Sequence, residues 1–89
     1  MNQNYREELA KLLTDIDQHK AMDDVLDNLL TPAEYDEIAL RIQIFKGLLD
    51  GESHRQLASR LGVSLGTISR GSRELQYGKN GIKKVISSK

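Results

Sequence analysis

The stretch that decides the fold is Ser53-His54-Arg55-Gln56-Leu57-Ala58-Ser59-Arg60-Leu61-Gly62-Val63-Ser64-Leu65-Gly66-Thr67-Ile68. Ser53 with Gln56 three residues on spells a capping box. The short helix it opens carries Leu57, Ala58 and Leu61. Gly62 follows and takes the positive φ of a turn at no steric cost. Val63 comes next, and Ser64 caps a new helix running through Leu65, Thr67, Ile68 and Leu75. Two short helices joined by a glycine-containing turn make a helix-turn-helix. Ala58 is small where the two helices cross, and Leu57, Leu61, Val63 and Ile68 supply a miniature core that sets the crossing angle.

Working outward, the rest of the chain also reads as helix. Tyr5, Leu9, Leu12, Leu13 and Ile16 recur at spacings of three and four, and Met22, Val25, Leu26, Leu29 and Leu30 do the same. No segment alternates with period two, so strands find no support. Thr31-Pro32-Ala33-Glu34 combines a cap, a proline at the first helical position and a carboxylate at the third. The helix it starts runs through Ile38, Ile42, Phe45, Leu48 and Leu49, and Gly51 can end it. Ile82, Val85 and Ile86 suggest a last short helix closing the core. The expected fold is all-α, with five to six helices. It divides into a dimerisation core over residues 1–52, the helix-turn-helix over 53–75 and a closing segment over 76–89.

The central helix is apolar around more than the ~100° stripe of an ordinary surface helix. A chain of 89 residues also buries only about two thirds of its unfolded surface. Both facts predict that the first half interlocks with a second copy, giving an intertwined two-fold homodimer.

Composition excludes several classes. There is no cysteine, and two histidines, His19 and His54, are too few and too far apart for a zinc centre, so no metal site is expected. No apolar run approaches a membrane span and no signal-peptide pattern is visible, so a cytoplasmic protein with no membrane partner is expected. No nucleophile–base pair or phosphate-binding glycine loop is present, so the chain is not read as an enzyme, and no cofactor is implied.

The zero net charge conceals an asymmetry. Residues 1–40 carry three basic against ten acidic side chains, and residues 41–89 carry ten basic against three acidic. From Ser53 onward the only carboxylate side chain is Glu74. Such a half-chain points to a polyanionic partner. The second helix of the motif is small, hydroxylated and basic on its outer face, through Ser64, Leu65, Gly66, Thr67, Ser69, Arg70 and Arg73. Nothing bulky or acidic blocks its N-terminus from the major groove. Arg55, Arg60, Arg73, Lys79, Lys83 and Lys84 are available for phosphates, and Arg55 can instead read guanine.

Gly71 does not fit a plain DNA-binding module, because glycine within a helix costs roughly 1 kcal/mol against alanine. Two readings are open. The missing side chain leaves a hollow, flanked by Arg70 and by Arg41 on the central helix, that sandwiches a flat aromatic ligand bearing a carboxylate. Alternatively, Gly71 only permits close helix packing while the arginines pair with carboxylates.

Leu30-Thr31-Pro32-Ala33-Glu34, Arg41, Leu48-Leu49-Asp50-Gly51-Glu52, Arg55-Gln56-Leu57, Leu61-Gly62 and above all Thr67-Ile68-Ser69-Arg70-Gly71-Ser72 resemble the tryptophan repressor family. The resemblance covers about residues 22–75. It implies an intertwined homodimer that binds operator DNA and represses tryptophan biosynthesis or transport genes when L-tryptophan is bound as corepressor. It further implies that Arg41 and Arg70 flank the indole and that Thr31 and Arg70 face the carboxylate. Thr67 and Gly71 would line the pocket, and backbone carbonyls near Leu30 would take the ammonium. The DNA face it implies is Arg55 with Ser64, Leu65, Gly66, Thr67 and Ser69. The chain departs from the family at Glu74, where the family usually has a serine near the ligand's amino group; a carboxylate there can accept from an ammonium. Ala58 stands where a family lysine often touches phosphate, the loop after Glu52 is one residue shorter, and the tail from Gln76 to Ile86 resembles a related branch. Two other readings remain: a regulator of the same fold with no ligand or a different one, and a small dimeric adaptor whose basic half docks an acidic protein.

Overall fold

A computed structural model describes residues 3–87. Six helices follow one another: α1 (Gln3–Thr14), α2 (His19–Leu29), α3 (Pro32–Leu49), α4 (His54–Leu61), α5 (Leu65–Tyr77) and α6 (Gly81–Ser87). The described residues contain no strand. The all-α expectation therefore holds, with the larger of the two helix counts. By internal contacts the chain falls into two compact units, residues 1–35 and 36–89.

The first unit is built on local signals. α1 stops earlier than the apolar spacing suggested, leaving Ile16 beyond its end. The Thr14 hydroxyl donates to the Ala10 carbonyl at 2.8 Å. Such back-bonding competes with the helix ladder, and the backbone tightens there into 3₁₀-type bonds from Asp15 to Leu12 and Ile16 to Leu13. The start of α3 forms the capping box in both directions: Glu34 N–H donates to Thr31 Oγ1 at 3.2 Å, and Thr31 N–H donates to Glu34 Oε1 at 2.9 Å. Tyr35 Oη donates to Asp23 Oδ1 at 2.8 Å, and this bond to a carboxylate holds the phenol above its usual pKa. Large apolar side chains remain uncovered in this unit, with Tyr5 65%, Leu9 47%, Leu12 51% and Leu29 52% exposed.

The second unit holds the core. Leu57 and Ile68 are completely buried and pack with Ile44 and Ala58, while Leu40, Leu48, Leu61 and Val63 close around them. The miniature core read from the motif is present, but α3 supplies a third side that the motif alone did not reveal. Gly47 of α3 lies under α4: a Cβ there would stand 2.5 Å from Leu57 Cδ1 and 3.1 Å from Glu52 Oε1. The two motif helices are delimited as expected. Ser53 Oγ accepts from Gln56 N–H at 3.1 Å, Ser64 Oγ accepts from Thr67 N–H at 3.1 Å, and Gly62 takes the left-handed conformation at φ 68°. Gly51, at φ 85°, ends α3 in the same manner. No helix among the described residues is long and apolar enough to cross a membrane.

Candidate functional site

The first turn of α5 forms one end of the site. Ser64 Oγ lies 2.9 Å from Thr67 Oγ1, and Arg70 Nη2 donates to Thr67 Oγ1 at 3.3 Å, so the guanidinium reaches back along its own helix. Ser64, Leu65, Gly66, Ser69 and Arg73 are exposed on this helix, Thr67 is half-buried, and Arg55 is exposed on α4. The helix N-terminus therefore offers backbone N–H groups, hydroxyls and cations on a face free of carboxylates, a surface suited to phosphate and base edges.

Arg60, also expected on that face, is already engaged. Its Nε donates to Glu52 Oε2 at 3.0 Å and its Nη2 to Glu52 Oε1 at 2.7 Å. The hydrogen bond from Arg60 holds the Glu52 carboxyl below the usual carboxylate range and the guanidinium pKa above its own. This fork pins the α3–α4 loop to the end of α4 and offsets the charge Arg60 would present to DNA.

A cavity of about 860 Å³ lies within the second unit. Its apolar floor is Leu40, Ile44 and Phe45 of α3, with Ile82 of α6. Arg41 and Glu37 border it from α3, and Thr67, Arg70, Gly71 and Glu74 border it from α5. Lys79 and Gly81 complete the lining at the α5–α6 junction. Five of the seven residues expected around a ligand, Arg41, Thr67, Arg70, Gly71 and Glu74, thus share one cavity. Leu30 and Thr31 belong to the first unit, where Leu30 N–H bonds to the Leu26 carbonyl and Thr31 caps α3.

The expectation of a hollow at Gly71 needs correction. A Cβ at position 71 would stand 2.8 Å from Ile44 Cγ2, 3.7 Å from Leu48 Cδ1 and 3.9 Å from Phe45 Cε1. The space beside the glycine is taken by α3, so Gly71 serves close helix packing, the second of the two readings. The open volume lies to the side, with Arg41 and Arg70 both on its lining.

Sequence reasoning missed Glu37, Lys79, Gly81 and Ile82. Glu37 was accessible in principle: Glu37, Leu40, Ile44 and Phe45 lie four before, one before, three after and four after Arg41, most of them along one helix face. Lys79 carried no such signal, because its position depends on the turn after α5. One trio of carboxylates, Asp23, Asp24 and Asp27, lies close together on α2. All three are exposed, with Lys20 on Asp24 at 2.8 Å and Tyr35 on Asp23.

A helix-turn-helix with a cationic, carboxylate-free helix N-terminus above a packed helical core defines a DNA-binding transcription regulator, not an enzyme. The family described as Trp repressor protein matches residues 4–89. A Trp operon repressor homolog of Vibrio atlanticus (strain LGP32) is 41% identical over 81 residues, covering 90% of this chain and 80% of that protein. One of Xylella fastidiosa (strain M23) is 38% identical over 84 residues, covering 93% and 89%. One of Vibrio parahaemolyticus is 41% identical over 70 residues, covering 78% and 65%. No solved structure gave a significant match. The chain belongs to the Trp repressor protein family.

Proposed function

We propose that this chain is a homodimeric repressor, acting in the cytoplasm, that binds operator DNA when L-tryptophan occupies the cavity beside α5. The observation that carries the reading is the placement of Arg41, Arg70 and Thr67 on one cavity with an apolar floor, while Thr67 and Arg70 also bond to the first turn of the DNA-facing helix. The indole lies on the floor of Leu40, Ile44 and Phe45 between the two guanidinium planes, which attract an aromatic face. The carboxylate goes to Arg70, with Thr31 and the carbonyls near Leu30 assigned to the ligand by the family resemblance. Glu74 lies beside the ammonium. Arg55, Ser64, Leu65, Gly66, Thr67 and Ser69 meet the DNA, and Arg73 a phosphate; Arg60, neutralised by Glu52, contributes less.

The names of the relatives support operator binding and control of tryptophan genes, and the uncovered apolar side chains of α1 and α2 support a dimer. Dimeric helix-turn-helix proteins, the tryptophan repressor among them, hold their two reading helices about 34 Å apart, one turn of DNA. A ligand acts on that spacing only by binding one tilt better than another. Calorimetry tests the site: L-tryptophan should give a saturable heat that Arg41→Ala and Arg70→Ala each remove. A chain that takes up no tryptophan, or whose two alanine variants bind it as tightly as the parent, contradicts the reading.

A further inference from the structure

The cavity presents both signs of charge to whatever enters it. Arg41, Arg70 and Lys79 are cationic; Glu37 and Glu74 are anionic. Cations alone would accept any aromatic acid. A carboxylate beside them penalises an acid that lacks a positive group to answer it. The ion pairs among the described residues are Lys20–Asp24 and Glu52–Arg60, so Glu74 has no cationic side chain paired with it.

Shape holds Glu74 in place. One turn further along, Gly78 ends α5 with its N–H on the Glu74 carbonyl at 2.8 Å. A Cβ at position 78 would collide with Glu74 Oε2 and stand 2.6 Å from both Glu74 Cδ and the Glu74 carbonyl oxygen. The φ of Gly78 is −82°, which any residue adopts. The glycine is therefore needed for room, and the room is filled by the Glu74 carboxylate. Glu74 and Arg70 line both the main cavity and a second recess of about 380 Å³ beside Tyr77, so this carboxylate borders the arginine at the mouth of each.

We propose that Glu74, seated by Gly78, makes the cavity selective for a zwitterionic aromatic amino acid over the same aromatic acid without its ammonium. The ligand's α-ammonium donates to the Glu74 carboxylate while its own carboxylate goes to Arg70. The inference rests on the ligand reading above and sharpens it: the ammonium is required, not merely accommodated.

Calorimetry with two probes, L-tryptophan and 3-(indol-3-yl)propionate, tests it on the full chain. The parent protein should prefer tryptophan by at least about tenfold, the factor expected of one charge-assisted hydrogen bond facing solvent. Glu74→Gln should shrink the preference to within about threefold, chiefly by tightening the propionate. Gly78→Ala, which keeps the carboxylate but removes its seat, should narrow the preference as well, with circular dichroism confirming an unchanged helix content. Equal affinity of the parent for both probes, or a preference that Glu74→Gln leaves intact, overturns the selectivity while leaving the corepressor reading standing. Absence of heat from tryptophan in the parent removes both.

Discussion

At the scale of single residues, a bidentate pair does two jobs. Glu52 and Arg60 tie the α3–α4 loop to the end of α4 and also withdraw a cation from the DNA-facing surface. Because the pair lowers the Glu52 pKa, its contribution to stability is present above the ordinary carboxylate range and lost as pH falls through the folded-state value. Glu52→Gln should therefore melt slightly below the parent at neutral pH, the modest effect expected of a solvent-facing pair. The difference should close in acid; melting curves at neutral and acid pH that keep a constant gap would contradict this. The same scale shows what could be read in advance. Ser53, Ser64, Thr31 and Gly62 were legible because each acts on backbone within three or four residues of itself. Glu52 with Arg60 was not, since eight residues and a loop separate them and nothing in the spacing joins one to the other.

At the scale of elements, close approach of helices explains two glycines that periodicity left ambiguous. Gly47 admits Leu57 against α3, and Gly71 admits Ile44 against α5. Gly47→Ala gains roughly 1 kcal/mol in helix propensity, but forces a methyl group 2.5 Å from the completely buried Leu57. Overpacking of that kind typically costs about 1–3 kcal/mol, so urea denaturation should show a net loss of up to about 2 kcal/mol. A gain in stability would mean that Leu57 repacks freely and that the tight α3–α4 approach is not what the glycine serves. The helix-turn-helix itself was almost wholly legible, down to its caps and turn. Its third packing wall was not, because Ile44 and Leu48 read only as part of an apolar helix until α3 is set beside α4 and α5. The α5–α6 junction was less legible still: Lys79 reaches the cavity by way of the turn at Gly78, whose glycine is explained by the Glu74 side chain and not by any turn signature.

At the scale of the whole molecule, two features of the chain point outward. Acidic side chains dominate residues 1–40 and basic ones residues 41–89, and Tyr5, Leu9, Leu12 and Leu29 stand about half or more uncovered. Uncovered apolar faces on a chain of 10.0 kDa favour self-association. Sedimentation equilibrium should give twice the chain mass for the parent and the single-chain mass for a Leu9→Lys, Leu12→Lys double variant. A monomeric parent would leave the two-fold operator reading without a basis. Family membership was legible in the Thr67–Ser72 stretch and its flanks, because those residues serve the pocket and the DNA face together. The ligand's chemistry was only half legible: the arginines announce an anion and an aromatic face, whereas the contribution of Glu74 depends on Gly78.

The central claim is that cavity and DNA-facing helix are coupled through Thr67 and Arg70. Titrating a fluorescent operator duplex with the protein, with and without saturating L-tryptophan at fixed salt, measures that coupling directly. The account predicts a tighter complex with tryptophan, by roughly the 5- to 150-fold typical of two coupled sites, and a steep loss of affinity as salt rises in both series. Equal operator affinity with and without the amino acid would contradict it.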